Sequence, residues 1–403
     1  MQALQLSPVF VGALSAMLLG CSASESDQTA IEARGLPHEV NRLNRVSLGA
    51  ARAALDDSGF AELAIEHGVN LSQVVYDTID AEGAPIVASL LLAAPSDCTP
   101  VAVINYQHGT AFGRDEVPSQ AEVDDADERS VPALVFAGHC YLLIASDYVG
   151  LGVSPGRHPF MHAATEASAV IDAWRAARQV AERQRIAWPK DVFLIGFSQG
   201  AHATLAAAAA FPAAGRLRAL AGISGPYNLS DLQLAFTLAG QSPVDSAYLG
   251  YILSAYAHLY PAPGASDYLK PPYDRQLDGL FDGSRHIQDL IPDLPATPHE
   301  LVAPQFAAQL ERHEANWFSV ALAENDVGWV TPRAPVQLYY SNTDEIVAPE
   351  QSLRTSARMR EGGVAVEAID IGPIDHLNSW RPALGKIRNW FDELLSEPCC
   401  ARE

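Results

Sequence analysis

The chain has 403 residues, 48% of them apolar, with ordinary Gly and Pro usage and no internal repeat, as expected of a globular protein with a large core. Its formal net charge is −22, from 26 Lys and Arg against 48 Asp and Glu. That balance excludes nucleic acid or another polyanion as partner, because such binding needs clustered cations to release counterions. It implies a soluble, self-repelling surface and carries no information about chemistry.

In chain order, the first feature is an uncharged apolar run from Leu6 to Gly20, too short to span a bilayer comfortably. It ends in Leu18-Leu19-Gly20-Cys21, which resembles the lipobox of bacterial lipoproteins. The resemblance implies a signal segment over 1–21, lipidation of Cys21 and membrane attachment through that lipid. Ser22 in the next position implies the outer membrane; a periplasmic or secreted protein is the alternative. The polar stretch that follows reads as a flexible tether over 22–45.

From Leu71 strand-like and helix-like segments alternate, which predicts an α/β fold with a mostly parallel central sheet flanked by helices. Val74 to Thr78 and Ile86 to Leu92 form a hairpin turned at Asp80-Ala81-Glu82-Gly83. The runs Val101 to Tyr106 and Leu142 to Ser146 lead into His108-Gly109-Thr110 and Asp147-Tyr148-Val149-Gly150-Leu151-Gly152. Cys98 and Cys140 precede these two runs, so their sulfurs meet at one sheet edge if the strands are parallel neighbours. A Cys98–Cys140 disulfide in an oxidising compartment is therefore expected, while Cys399 and Cys400 have no assignment. Val170, Ala173, Trp174, Ala177, Val180 and Ala181 share one helical face. Val192 to Ile195 then enters Gly196-Phe197-Ser198-Gln199-Gly200, an alanine-rich helix follows, and Leu217 to Ile223 is the next strand.

This first core part spans 46–226. Over 227–331 the alternation breaks into helical patterns separated by Pro-rich links, with seven of the thirteen tyrosines (Tyr227, Tyr248, Tyr251, Tyr256, Tyr260, Tyr268 and Tyr273). Such a segment is a helical cap insertion that walls a substrate pocket, a structural insertion whose tyrosines pack on the core, or both. Alternation resumes over 332–403, with strands from Pro335 to Tyr340 and Val364 to Ile369 and a closing helix carrying Leu384, Ile387 and Phe391 on one face.

Strand, sharp turn and helix around Gly-x-Ser-x-Gly are the context a nucleophile elbow needs. A serine hydroxyl requires a base, and the base a group that holds its tautomer. Taken as nucleophile, acid and base, each at the carboxyl end of a strand, the candidates are Ser198, Asp344 and His376. Glu345 is the alternative acid. Asp375 is too near His376 in sequence to reach its ring, and Asp370 closes a strand. His202, one helical turn beyond Ser198, reads as a packing residue; the other histidines precede the elbow or fall in 227–331. An oxyanion would be held by the N–H of Gln199 at the helix N-terminus and by that of Thr110 or Gly109.

His108-Gly109-Thr110, Asp147-Tyr148-x-Gly150-x-Gly152, Asp172-Ala173-Trp174-Arg175-Ala176, Gly196-x-Ser198-Gln199-Gly200 and Asp344-x-x-Val347 together resemble the secretory lipases, a lipase-A-like branch of the α/β-hydrolases. The resemblance runs from about Val74 to Trp390 and is weakest in the presumed cap. It implies a serine ester hydrolase, a lipase or carboxylesterase, with no metal or cofactor and a small-molecule or lipid ester as substrate. Two other readings stay open: a serine peptidase or aminopeptidase on the same scaffold, and a non-catalytic surface-binding lipoprotein.

Overall fold

A computed structural model describes residues 34–396. Cys21 with its lipobox, and the Cys399-Cys400 pair, lie outside the described residues. Nine strands form one sheet: β1 (Pro37–Val46), β2 (Val69–Ile79), β3 (Pro85–Pro95), β4 (Val103–Gln107), β5 (Leu142–Ser146), β6 (Asp191–Phe197), β7 (Arg216–Ile223), β8 (Val336–Tyr340) and β9 (Val366–Asp370). Their order is β1-β2-β3-β5-β4-β6-β7-β8-β9. The three pairings at the β1 end are antiparallel and the remaining five are parallel. The central strands β4, β5 and β6 are buried on both faces because helices cover both sides.

One difference from the sequence reading lies at the start. The tether expected over 22–45 does not extend that far, because Pro37–Val46 is the edge strand, paired with β2 from Pro37↔Tyr76 to Val46↔Val69. Most of β1 is exposed. An edge strand on the solvent side needs no apolar alternation, so its polar residues give the pattern of a linker.

Helices α1 (Leu48–Asp57), α2 (Val131–Ala137), α3 (Ala163–Gln184) and α4 (Gln199–Ala208) belong to the first part of the core. Between β7 and β8 come α5 (Leu234–Leu238), α6 (Asp245–Leu259), α7 (Tyr273–Leu280), α8 (Ile287–Leu290), α9 (Pro298–Leu301), α10 (Pro304–Glu311) and α11 (Trp317–Glu324). The chain closes with α12 (Glu350–Glu361) and α13 (Trp380–Ser396). One sheet face packs on α1, α2 and α13 through residues such as Leu55, Phe136 and Phe391. The opposite face packs on α3, α4 and α12 through Trp174, Leu205 and Met359.

The α5–α11 segment has its own apolar cluster, which takes in Phe112, Phe160 and Met161 from core loops. Tyr251 stacks on Phe160 with ring centroids 4.4 Å apart and donates to the Ala111 carbonyl at 3.1 Å. The Tyr256 hydroxyl donates to the Met161 carbonyl at 2.9 Å. These two tyrosines therefore fasten the segment to the core and do not face open space. Cys98 and Cys140, just ahead of the parallel neighbours β4 and β5, are joined by a disulfide with Cα atoms 6.1 Å apart. Among the described residues no helix is long and apolar enough to cross a membrane.

Candidate active site

Strand β6 delivers Ser198 to the carboxyl end of the sheet in a strained backbone conformation, φ 53° and ψ −119°. A non-glycine residue at positive φ costs about 1–3 kcal/mol and persists only where its surroundings enforce it. The two flanking glycines make the turn possible. A Cβ on Gly196 would lie 2.0 Å from the Gly200 carbonyl oxygen, and one on Gly200 would lie 2.0 Å from the Gln107 carbonyl oxygen. Helix α4 thus starts directly behind the serine, against the end of β4.

Asp344 follows β8 and His376 follows β9, and the two loops bring them to Ser198. His376 Nε2 lies 2.9 Å from Ser198 Oγ, and His376 Nδ1 lies 3.0 and 2.9 Å from Asp344 Oδ1 and Oδ2. All three residues are buried. Asp344 Oδ1 also accepts the N–H groups of Ile346 (3.0 Å) and Val347 (2.8 Å). Burial works to raise the Asp344 carboxyl, but His376 and these hydrogen bonds outweigh it and hold it below the ordinary carboxylate range. The carboxylate therefore takes the Nδ1–H and leaves Nε2 free to accept the serine proton.

The rival acids have other partners. Glu345 accepts the His376 backbone N–H at 3.1 Å and does not reach the ring. Asp375 caps the turn at Asn378, and Asp370 accepts from Asn342 and from the Gly372 N–H. Of the two loop amides expected near the oxyanion, Gly109 is corrected: its N–H is engaged by Glu128 Oε1 at 3.0 Å. No protein acceptor takes the Thr110 or Gln199 amide among the described residues, and both residues border the cleft at Ser198.

Two openings meet at Ser198. The first is an apolar cleft walled by Phe160, Leu229, Leu249, Ile252, Phe318 and Val347, half of them contributed by the α5–α11 region. The second is mixed, with the charged Glu116, Asp127, Glu128, Arg129 and Arg381 and the apolar Leu377 and Trp380 around Ser198 and His376. Tyr248 borders both.

A buried polar network behind the elbow was not legible in the sequence. His202 Nδ1 lies 2.6 Å from Glu166 Oε2, and its Nε2 lies 2.7 Å from the Asn325 carbonyl at the end of α11. A carbonyl only accepts, so both ring nitrogens carry protons. Burial works against that charge, but Glu166 outweighs it and raises the His202 pKa. The Gln199 side-chain amide donates to Glu166 Oε1 (3.0 Å) and to His158 Nε2 (2.8 Å). The only sequence signal was the one-turn spacing of His202 from Ser198, which by itself does not name Glu166.

A nine-stranded, mostly parallel sheet with a Ser-His-Asp relay at its carboxyl edge defines an α/β-hydrolase. Within that class the chain resembles the secretory lipases, whose family model matches residues 121–263. No curated protein matches the chain. The ligand-bound rice cell wall degrading esterase LipA from Xanthomonas oryzae is similar, with a TM-score of 0.82 and 27% identity over 90% of this chain and 100% of that one. Two structures of lower sequence identity show the shared fold. One, from Legionella pneumophila and described as a hydrolase, has a TM-score of 0.85 at 23% identity, covering 90% of this chain and 99% of its own. The other, Candida antarctica lipase A in its closed state, has 0.65 at 16% identity, covering 91% and 84%. Family match and neighbours support hydrolysis of esters.

Proposed function

We propose that the protein is an exported serine hydrolase that cleaves carboxylic esters with an apolar acyl group through an acyl-enzyme on Ser198. The observation that carries this reading is the unbroken hydrogen-bonded relay from Ser198 through His376 to Asp344 at the mouth of an apolar cleft. The likeness to a secretory family supports export.

In this mechanism Ser198 Oγ attacks the ester carbonyl carbon while His376 Nε2 takes its proton. Asp344 stabilises the imidazolium. The N–H groups of Gln199 and Thr110 hold the oxyanion, aided by the positive end of the α4 dipole. Collapse of the tetrahedral intermediate breaks the bond to the alkoxy oxygen, which receives the proton from His376 and leaves as the alcohol. Water, deprotonated by His376, then attacks the acyl carbon. Collapse of this second tetrahedral intermediate breaks the bond to Ser198 Oγ, which takes the proton back from His376 as the acid leaves. The α5–α11 region acts as a cap, lining the cleft that takes the acyl chain.

Ser198→Ala tests the reading. Turnover of short aryl esters and covalent labelling by a fluorophosphonate are both expected to vanish while the fold is kept. Retention of either excludes Ser198 as nucleophile.

A further inference from the structure

Glu128 lies in the loop ahead of α2, outside the relay, and no sequence pattern marks it. Both of its carboxyl oxygens are nevertheless committed to the segment that ends β4. Oε1 accepts the Gly109 N–H at 3.0 Å and Oε2 accepts the Tyr106 hydroxyl at 2.5 Å. The adjacent cation does not take the carboxylate, since Arg129 turns to Asp127. An ordinary ion pair therefore does not account for the placement of Glu128.

The loop beyond β4 is clamped peptide by peptide. In the His108–Gly109 peptide, the carbonyl accepts the Tyr148 hydroxyl at 3.2 Å and the N–H meets Glu128. In the next peptide, the Gly109 carbonyl lies 2.7 Å from His108 Nδ1, which faces an acceptor and so carries the proton. In a trans peptide the Thr110 N–H points opposite to the Gly109 carbonyl, away from His108, and Thr110 lines the same cleft as Ser198. The joint between the two planes is a glycine, where an added Cβ would crowd the Phe197 ring at 3.0 Å. Glycine has the greatest backbone freedom of any residue, so an amide that follows one needs restraint from outside.

We infer that Glu128 is a positioning residue for ester hydrolysis, holding the Gly109 peptide so that the Thr110 N–H is fixed toward the oxyanion. The inference rests on the serine-hydrolase reading above. A preorganised donor stabilises charge without reorganising during the reaction, and one left free to rotate loses that advantage. Burial pushes the Glu128 carboxyl up to about 7. Its two hydrogen bonds do not require the charge: a neutral amide of the same shape can accept from Gly109 and donate to the Tyr106 oxygen.

The test compares Glu128→Ala, Glu128→Gln and Tyr106→Phe on a short aryl ester, with circular dichroism as the check on folding. Glu128→Ala is expected to lower kcat by about a hundredfold with KM little changed, the scale of one mispositioned oxyanion donor. Its inhibition by a trifluoromethyl ketone, whose adduct needs the same donors, should weaken in parallel. Glu128→Gln should restore most of kcat. Should Glu128→Ala not fold, Tyr106→Phe carries the test, with a smaller loss in kcat and an unchanged KM.

Wild-type kcat in Glu128→Ala, or in Tyr106→Phe when that variant carries the test, overturns the inference. So does a folded Glu128→Gln as impaired as the alanine variant. A wild-type protein that neither turns over ester nor labels with fluorophosphonate removes the serine-hydrolase reading itself, and this inference with it.

Discussion

Replacing Asp344 by Asn changes one atom in the relay and should disable it through the tautomer of His376. Asp344 Oδ1 is held by the Ile346 and Val347 amides at 3.0 and 2.8 Å. Those donors select oxygen, so the asparagine carbonyl takes the Oδ1 site and its NH2 takes the Oδ2 site, 2.9 Å from His376 Nδ1. Oδ1 is also 3.0 Å from Nδ1, but its lone pairs already serve the two amides. The NH2 repels an Nδ1–H and donates to a bare Nδ1, which favours the tautomer with the ring proton on Nε2. There it faces Ser198 Oγ at 2.9 Å, and the ring can no longer receive the serine proton. The known scale of this tautomer error in a serine protease is about ten-thousandfold in kcat, or about 5.4 kcal/mol at ~1.36 kcal/mol per decade. The assay is kcat on a short aryl ester for Asp344→Asn beside Glu345→Gln, with the fluorophosphonate labelling rate as a second readout. Glu345 touches only the His376 backbone, so Glu345→Gln should stay near wild type. An Asp344→Asn enzyme within about tenfold of wild type would refute the tautomer argument.

The remaining predictions concern stability. His202→Ala leaves the Glu166 carboxylate buried without its cation and should cost about 3–5 kcal/mol in urea unfolding. A double-mutant cycle with Glu166→Gln should be strongly non-additive, and additivity would show that the two do not act as a pair. The pH dependence has a definite sign. Because the folded-state pKa of His202 is raised above 6.5, its contribution is complete below 6.5 and is lost as pH rises through the folded value. Stability that grows with pH through that window in wild type but not in His202→Ala would contradict this. The Cys98–Cys140 bridge spans a sequence separation of 42, so its reduction should cost about 4 kcal/mol by loop entropy. Alkylation of the unfolded, unreduced protein followed by peptide mapping should find Cys98 and Cys140 unmodified, and alkylation of both would exclude the bridge.

Much of the candidate site was readable because its determinants are local. The elbow needs a branched strand, two glycines at fixed offsets and a helix former, all within Val192 to Ala201. The candidate acid and base follow their strands closely, so chain order alone pointed to Asp344 and His376. Residues whose meaning depends on a partner distant in sequence were not readable. His202 matters through Glu166 and Asn325, and Glu128 through Gly109. The choice between Gly109 and Thr110 was likewise open until Glu128 was seen to occupy one amide.

The fold divides in the same way. Because short apolar runs alternate with helical patterns, β4 to β7 were legible as an α/β core. Strand β1 was not, since an exposed edge is held by ladder hydrogen bonds to β2 and not by apolar burial. The tyrosines over 227–331 showed that this segment was rich in aromatic rings, but not where they would point. Tyr251 and Tyr256 are spent fastening the segment to core loops, while Tyr248 reaches the clefts. By itself the sequence determined the candidate nucleophile, the order of its candidate partners and the class of fold, because these are written in short-range pattern. Only the tertiary structure decided which amides are free, which charges are paired and which side chains wall the cleft, because each depends on groups that the chain brings together from far apart.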